Sequence, residues 1–209
     1  PYTYHSKLKF ANDAEKTEYF LSLLEEQIIY EGANQIAAVE VESVVGANGI
    51  LIPPEGYLQG LRKLTQKYGI LLICDEVMAG FYRTGKLFGF MNWDIKPDII
   101  TFEKGVTCGY VQLGGIIISK EIADYYKNRP FQYGLTYSGH SLACAVGVAT
   151  LESYDELHIE EHVQEVSNVW KELLEEQKAK HKCVGDVRYI GLFGNLELVK
   201  DKKTTEPLV

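Results

Sequence analysis

Long apolar runs, paired cysteines and an excess of basic charge are all missing from this chain. No stretch approaches the roughly 20 consecutive apolar residues that a membrane-spanning helix needs, and the opening PYTYHSKLKF lacks the charged-then-apolar pattern of a signal segment. A soluble, cytoplasmic protein without a membrane partner is expected. The 21 lysines and arginines stand against 29 aspartates and glutamates, a net charge of −8, which argues against a broad nucleic-acid or anionic-membrane surface. Any phosphate must therefore be held locally. The four cysteines, Cys74, Cys108, Cys144 and Cys183, are far apart and form no CxxC pair, so neither a zinc site nor a dense disulfide framework is suggested, and reduced thiols are expected. Nothing repeats, and no segment is low in complexity.

What is present is enough for a core. With 209 residues, 46% of them hydrophobic and 24% charged, the chain has the composition of one globular domain, or one and a part. Phe20, Leu23, Leu24 and Ile28 recur at helical spacing between Asn12 and Tyr30, with Gly32 as a stop. Ile36 to Glu42 reads as a strand. PPEGYLQGLRKLTQKYG reads as a helix opened by proline, with Leu58, Leu61, Leu64 and Tyr68 on one side and Gly69 closing it. Ile70 to Val77 is a continuous apolar run, the pattern of a strand buried on both faces. Asp98 to Lys104 and Gly114 to Ser119 extend the series, followed by the short helical stretch EIADYYK.

Strands alternating with helices and lacking hairpin turns predict an α/β layer with a mostly parallel sheet. Ligands in such sheets collect at the carboxyl ends of strands, where Glu42, Asp75 and Lys104 all fall. Further on, Ser141 to Tyr154 predicts a helix tightly packed against the sheet. Val163, Val166, Trp170, Leu173 and Leu174 mark a long half-exposed helix after it, and VRYIGLFGNLELV a glycine-broken strand pattern.

Lys104 carries the strongest chemical signal, because a strand ends on it and breaks at once into a loop with glycines at 105, 109, 114 and 115. A lysine that forms a Schiff base must be accessible and partly desolvated, and glycines let a ligand approach the backbone. Taken alone, such a lysine is most often a solvated side chain. Asp75 ends a neighbouring strand, where a carboxylate facing a pyridine nitrogen would keep it protonated; the plain alternative is a carboxylate capping the next turn. Thr136, Tyr137 and Ser138 precede a helix and are able to meet a phosphate, or simply to cap that helix. Two decoys are weaker. GFYRTGKL matches most of a nucleotide P-loop but has Leu87 where a serine or threonine would hold magnesium, and HIEEH fits an inverted zinc-protease pattern without a third ligand.

ICDEVMAGFYRTGKLFGF, KPDIITFEKG with its following GGIIIS, and GLTYSGHSLACAVGVATLE occur in the order and spacing of the class III pyridoxal phosphate aminotransferases, which the chain resembles from about Gln35 to its end. Within that family it is most similar to the ω-amino acid, amine or taurine to pyruvate transaminases. The resemblance implies part of a fold type I large domain over residues 1–157, then a linking helix and the beginning of a small C-terminal α+β domain over 158–209. It implies pyridoxal 5'-phosphate as cofactor, Lys104 as the Schiff-base lysine, Asp75 on the pyridinium and Val77 packed on the ring. Thr136 matches the threonine that reaches the cofactor phosphate of the neighbouring subunit, which implies a homodimer with shared sites. Glu42 matches the family's active-site glutamate, and Met78 would line the site.

Three residues depart from the family pattern. Ser43 stands where proline usually follows the glutamate, Tyr82 replaces a glycine before Arg83, and Glu103 takes a small residue's place before Lys104. A carboxylate beside Lys104 would favour the charged amine, unless strand alternation turns it away. The expected reaction moves an amino group to a keto acid such as pyruvate. An aminomutase, epimerase or decarboxylase on the same scaffold, or a non-catalytic fragment, are the alternatives.

Overall fold

The computed structural model describes residues 1–208. It opens, after an N-terminal segment, with helix α1 (Asp13–Glu31), which starts where polar caps allow it to: Asn12 Oδ1 accepts from Glu15 N–H at 2.9 Å, and Glu15 Oε2 reaches back to Ala11 N–H at 2.7 Å. Strand β1 (Ala38–Glu42) follows, then helix α2 (Tyr57–Tyr68) and strand β2 (Leu71–Asp75). Helix α2 is preceded by Gly56 in the left-handed conformation rather than opened by the prolines, and Gly69, also left-handed, ends it. Leu58, Leu61 and Leu64 are buried as their spacing predicts. Helices α1 and α2 approach so closely at Gly60 that a β-carbon there would lie 2.2 Å from Leu21 Cδ1.

Strands β3 (Ile99–Phe102) and β4 (Gly115–Ile118) complete a four-stranded sheet in the order β1-β2-β3-β4. The first two pairings are parallel, with Glu42 opposite Asp75 and Asp75 opposite Thr101, so the α/β layer with a mostly parallel sheet is observed. The third is antiparallel, since β4 returns alongside β3 with Phe102 opposite Gly115. Asp98 braces this layer. Its carboxylate accepts both Arg62 guanidinium nitrogens at 2.5 and 2.9 Å and the Leu72 N–H at 2.8 Å.

Burial of β2 on both faces is not observed. Leu72 and Cys74 are fully buried beneath α2 and join Leu58, Leu61, Phe88 and Phe90 in the main core, whereas Leu71 on the opposite face is 37% exposed and Ile73 only half-buried. One side of the sheet is covered and the other is open among the described residues.

Helix α3 (Lys120–Tyr126) is capped by Ser119 and leads into a stretch in which every residue from 123 to 142 is exposed. Helix α4 (Ser141–Glu156) is correspondingly not packed tightly on the sheet. Only its small-residue side, Ala143, Gly147 and Thr150, is buried, with Gly147 against Leu113 and Val106, while Leu142, Val148 and Leu151 face outward. Helix α5 (Ile159–Lys180) buries Val163 and Leu174 and half-buries Trp170, but Leu173 points away from that stripe. It lies against a second sheet of strands β5 (Val184–Ile190), β6 (Phe193–Asp201) and β7 (Glu206–Pro207), where Leu174, Val184 and Val187 form their own cluster. The β5-β6 hairpin docks on the first unit: Leu192 N–H in its turn donates to Arg83 O at 3.0 Å, and the Arg188 Nε–H of β5 to Gly49 O at 2.9 Å. No helix is long and apolar enough to cross a membrane among the described residues.

Candidate active site

Strand β3 ends at Phe102, and the chain turns at Lys104 into a short 3-10 turn, Lys104–Val106. Lys104 adopts φ 49°, the left-handed region that a side chain with a β-carbon enters at a cost of about 1–2 kcal/mol. Such strain persists where surrounding structure imposes it and clusters at functional sites. The Lys104 amine makes no hydrogen bond or ion pair among the described residues. It lines a cavity of about 680 Å³ together with Val77, Met78, Phe81, Arg83 and Cys108, to which Leu192 of the β5-β6 turn and Phe193 at the start of β6 also contribute.

Asp75 sits one strand away and does not itself line that cavity. Its Oδ1 accepts from the Val77 N–H at 2.9 Å, so the carboxylate and the cavity-lining Val77 are fixed to each other. Its other oxygen has no partner among the described residues, and no cation pairs with it. An anionic oxygen left free at a sheet end, two residues from an apolar wall and one strand from an unpaired amine, suits a flat heterocycle with a protonated ring nitrogen and an aldehyde. The residues present fit pyridoxal phosphate at its ring and its aldehyde.

The other expected residues lie apart. Glu42 is half-buried, accepts from Gly46 N–H at 2.8 Å and lines a separate small cleft with Tyr57 and Leu58. Thr136 lies in the exposed stretch and does not line the Lys104 cavity. Glu103 lines a different cavity, of about 580 Å³, with Tyr137, Ser138 and His140; both it and Lys104 lie beyond the end of β3, so the turn at Lys104 rather than strand alternation separates them. No hydrogen bond or ion pair joins the Glu103 carboxylate to the amine among the described residues.

Tyr154, from α4, is a cavity residue that sequence reasoning missed. Its hydroxyl donates to Gly105 O at 2.6 Å and lies 3.1 Å from Cys108 Sγ, pinning the loop directly after Lys104. Burial, reinforced by Cys108, pushes this phenol well above its ordinary range, so it stays a donor. No local signal marks it, because the contact spans 49 residues. Cys74 is equally out of reach of chemistry, since burial pushes its thiol up to about 12.

The loop Gly80–Leu87 is not a phosphate cradle. Phe81 and Tyr82, both at positive φ, turn their N–H groups onto Leu87 O and Lys86 O at 2.5 and 3.1 Å, and a 3-10 turn, Gly89–Trp93, follows instead of a long helix.

Fold and site together define an α/β scaffold with an amine-bearing cleft at the carboxyl ends of parallel strands. The family model described as class-III aminotransferase matches residues 1–209, and the chain belongs to that family. A solved taurine:2-oxoglutarate aminotransferase from Bifidobacterium kashiwanohense, in complex with PLP and glutamate, is 54% identical with a TM-score of 0.93, over 96% of this chain and 45% of that one. A taurine–pyruvate aminotransferase of Bilophila wadsworthia is 35% identical over 206 residues, covering 96% of this chain and 45% of its own length. A putrescine–pyruvate aminotransferase of Pseudomonas aeruginosa is 38% identical over 184 residues, 88% of this chain and 40% of its own. The chain thus spans less than half the length of the relatives it matches.

Proposed function

We propose that this chain is the part of a pyridoxal 5'-phosphate-dependent aminotransferase that holds the reactive end of the cofactor, in a protein that moves an amino group from an ω-amino acid or amine, such as taurine, to a keto acid such as pyruvate. The observation that carries this reading is Lys104: a strained, unpaired amine on a cavity shared with Val77, one strand from the free oxygen of Asp75. Its likeness to taurine and putrescine aminotransferases supports the donor class.

When bound, pyridoxal phosphate supplies an aldehyde that joins an amine and a ring that withdraws electrons from the carbon losing its proton. Lys104 Nζ would hold the aldehyde carbon at rest and, once displaced by the donor amine, carry a proton between the two carbons that exchange it. Asp75, through its free oxygen, would keep a proton on the ring nitrogen, and Val77 would pack on the ring and exclude water from that face. Met78 lines the same cavity, within reach of the donor's chain, and Glu42 would act from the end of β1. Thr136, exposed and away from this cavity, would meet the phosphate of a neighbouring subunit's cofactor, which makes the protein a homodimer with shared sites. The division falls at 157/158, with part of the cofactor-binding domain before it and the linking helix α5 and start of a small domain after it. A cytoplasmic location accords with four free cysteines.

The test is to incubate the full-length protein with pyridoxal phosphate, an ω-amino donor and pyruvate, and to follow alanine. Alanine formed in step with loss of donor supports the reading. A donor rearranged or decarboxylated with no alanine overturns it in favour of other chemistry on the same scaffold.

A further inference from the structure

Ser43 and Glu76 are both 0% exposed, and neither has a place in the chemistry above. Each directly follows a strand-end carboxylate, Ser43 after Glu42 and Glu76 after Asp75, and those two carboxylates are register partners across β1 and β2. Side chains alternate along a strand, so Asp75 shares the open face with Leu71 and Ile73, while Glu76 shares the covered face with Leu72 and Cys74. On that covered side Ser43 Oγ donates to Glu76 Oε1 at 2.6 Å. Phe90 N–H donates to the same oxygen at 3.0 Å, and Gly89 N–H to Oε2 at 2.6 Å.

The Glu76 main chain is fixed as well: its N–H donates to Thr101 O at 2.9 Å, and its carbonyl accepts from Gly80 N–H at 2.9 Å. Five hydrogen bonds therefore converge on the one residue between Asp75 and Val77. Packing closes the cluster, because a β-carbon at Gly89 would lie 2.4 Å from Ser43 Oγ. Burial pushes the Glu76 carboxyl above the usual carboxylate range against the pull of its three donors, and no cation offsets it. The Ser43 hydroxyl is the one donor among those three that a single substitution can remove.

We propose that Ser43 and Glu76 form a positioning pair, whose hydrogen bond joins the ends of β1 and β2 from beneath and so sets the aim of Asp75 and the seat of Val77. The inference rests on the reading of a pyridoxal phosphate site. Ser43 touches no reacting group; it acts through Glu76. With the hydroxyl gone, Oε1 keeps the Phe90 amide and Oε2 the Gly89 amide, but the tie from the end of β1 is lost, and the Asp75–Val77 unit next to Glu76 loses that side of its support.

The test uses the full-length protein, its Ser43→Ala variant, and Ser43→Cys, which keeps a weaker donor of similar size. The pyridoxal phosphate dissociation constant, the pH midpoint of the bound cofactor's visible band, and the melting temperature of the cofactor-free protein are measured for each. Ser43→Ala is expected to weaken cofactor binding about tenfold and to move the midpoint by about half a pH unit or more, with Ser43→Cys in between. Unchanged affinity and midpoint, even with a lowered melting temperature, assign Ser43 a purely structural role and overturn the proposal. If Ser43→Ala does not fold, Ser43→Cys decides by the same two readouts. An unaltered protein that binds no pyridoxal phosphate overturns the functional reading and this inference with it.

Discussion

Two stretches of similar apolar content meet very different fates in this molecule. From β1 to β3 many apolar side chains are gathered under α2, with Leu58, Leu61 and Leu72 no more than 1% exposed, and the half-buried Asp98 and the buried Glu76 carboxyl groups each receive three donated hydrogen bonds. From β4 to α4 the chain is as rich in large apolar groups, yet Ile116, Phe131, Tyr133, Leu135, Tyr137 and Leu142 are all exposed. An exposed apolar surface of that extent is characteristic of an interface. The first stretch closes one face of its sheet on α2; the second leaves most of its large apolar groups uncovered, as the proposed dimer would require. Lys104 stands on the seam between them, held by the first at the end of β3 and pinned by the second through the Tyr154–Gly105 bond.

The sharpest break of that contrast is at the seam. Lys104→Ala in the full-length protein is expected to lower amino transfer about a thousandfold or more, because it removes both the amine and the proton carrier, as read from steady-state alanine formation. Retained activity would place the chemistry elsewhere.

Within the self-contained stretch, Leu61→Ala leaves a cavity in a closed core and is expected to cost about 2–5 kcal/mol in urea unfolding, at any protein concentration. Leu135→Ala, 81% exposed, is the matching probe in the other stretch. It is expected to leave protomer stability within about 0.5 kcal/mol while raising the dimer dissociation constant seen by sedimentation. Equal effects on unfolding would erase the distinction between the two regions.

Asp98→Asn probes the charged brace and is expected to cost about 1–3 kcal/mol. Burial opposes ionisation of Asp98, but the Arg62 guanidinium and the Leu72 amide outweigh it and hold the carboxyl below its ordinary value of 3.8. A depressed folded-state value means that its stabilisation is fully present above pH 3.8 and lost as the pH falls through the lower folded value, so the variant should show a flatter acid limb. The smallest expected effect is at Thr136→Val, about a tenfold weaker cofactor affinity with no change in unfolding, measured by pyridoxal phosphate titration of the dimer.

The contrast also marks what could be read from sequence. Helix α1 was legible because Asn12 and Gly32 signal its ends locally, and α2 because Leu58, Leu61 and Leu64 repeat at helical spacing. Asp75 was legible as a strand end, whereas the strand expected to run to Lys104 stops at Phe102, and Glu103 and Lys104 line different cavities because the chain turns between them and not because a strand alternates. The direction of β4 was not, since the run GIII reads the same whichever way it pairs. Neither was the exposure of α4, because its small residues suit a tight contact and pattern does not reveal how little of the helix one receives. The Ser43–Glu76 bond spans 33 residues, and no local pattern announces it.

The central claim is that Lys104 is the amine that holds the cofactor. Treating the full-length protein with pyridoxal phosphate, reducing with borohydride and mapping the labelled peptide tests it most directly. The account predicts the pyridoxyl group on Lys104 and no stable label in Lys104→Ala; a label fixed on any other lysine, or one that survives in the variant, would contradict it.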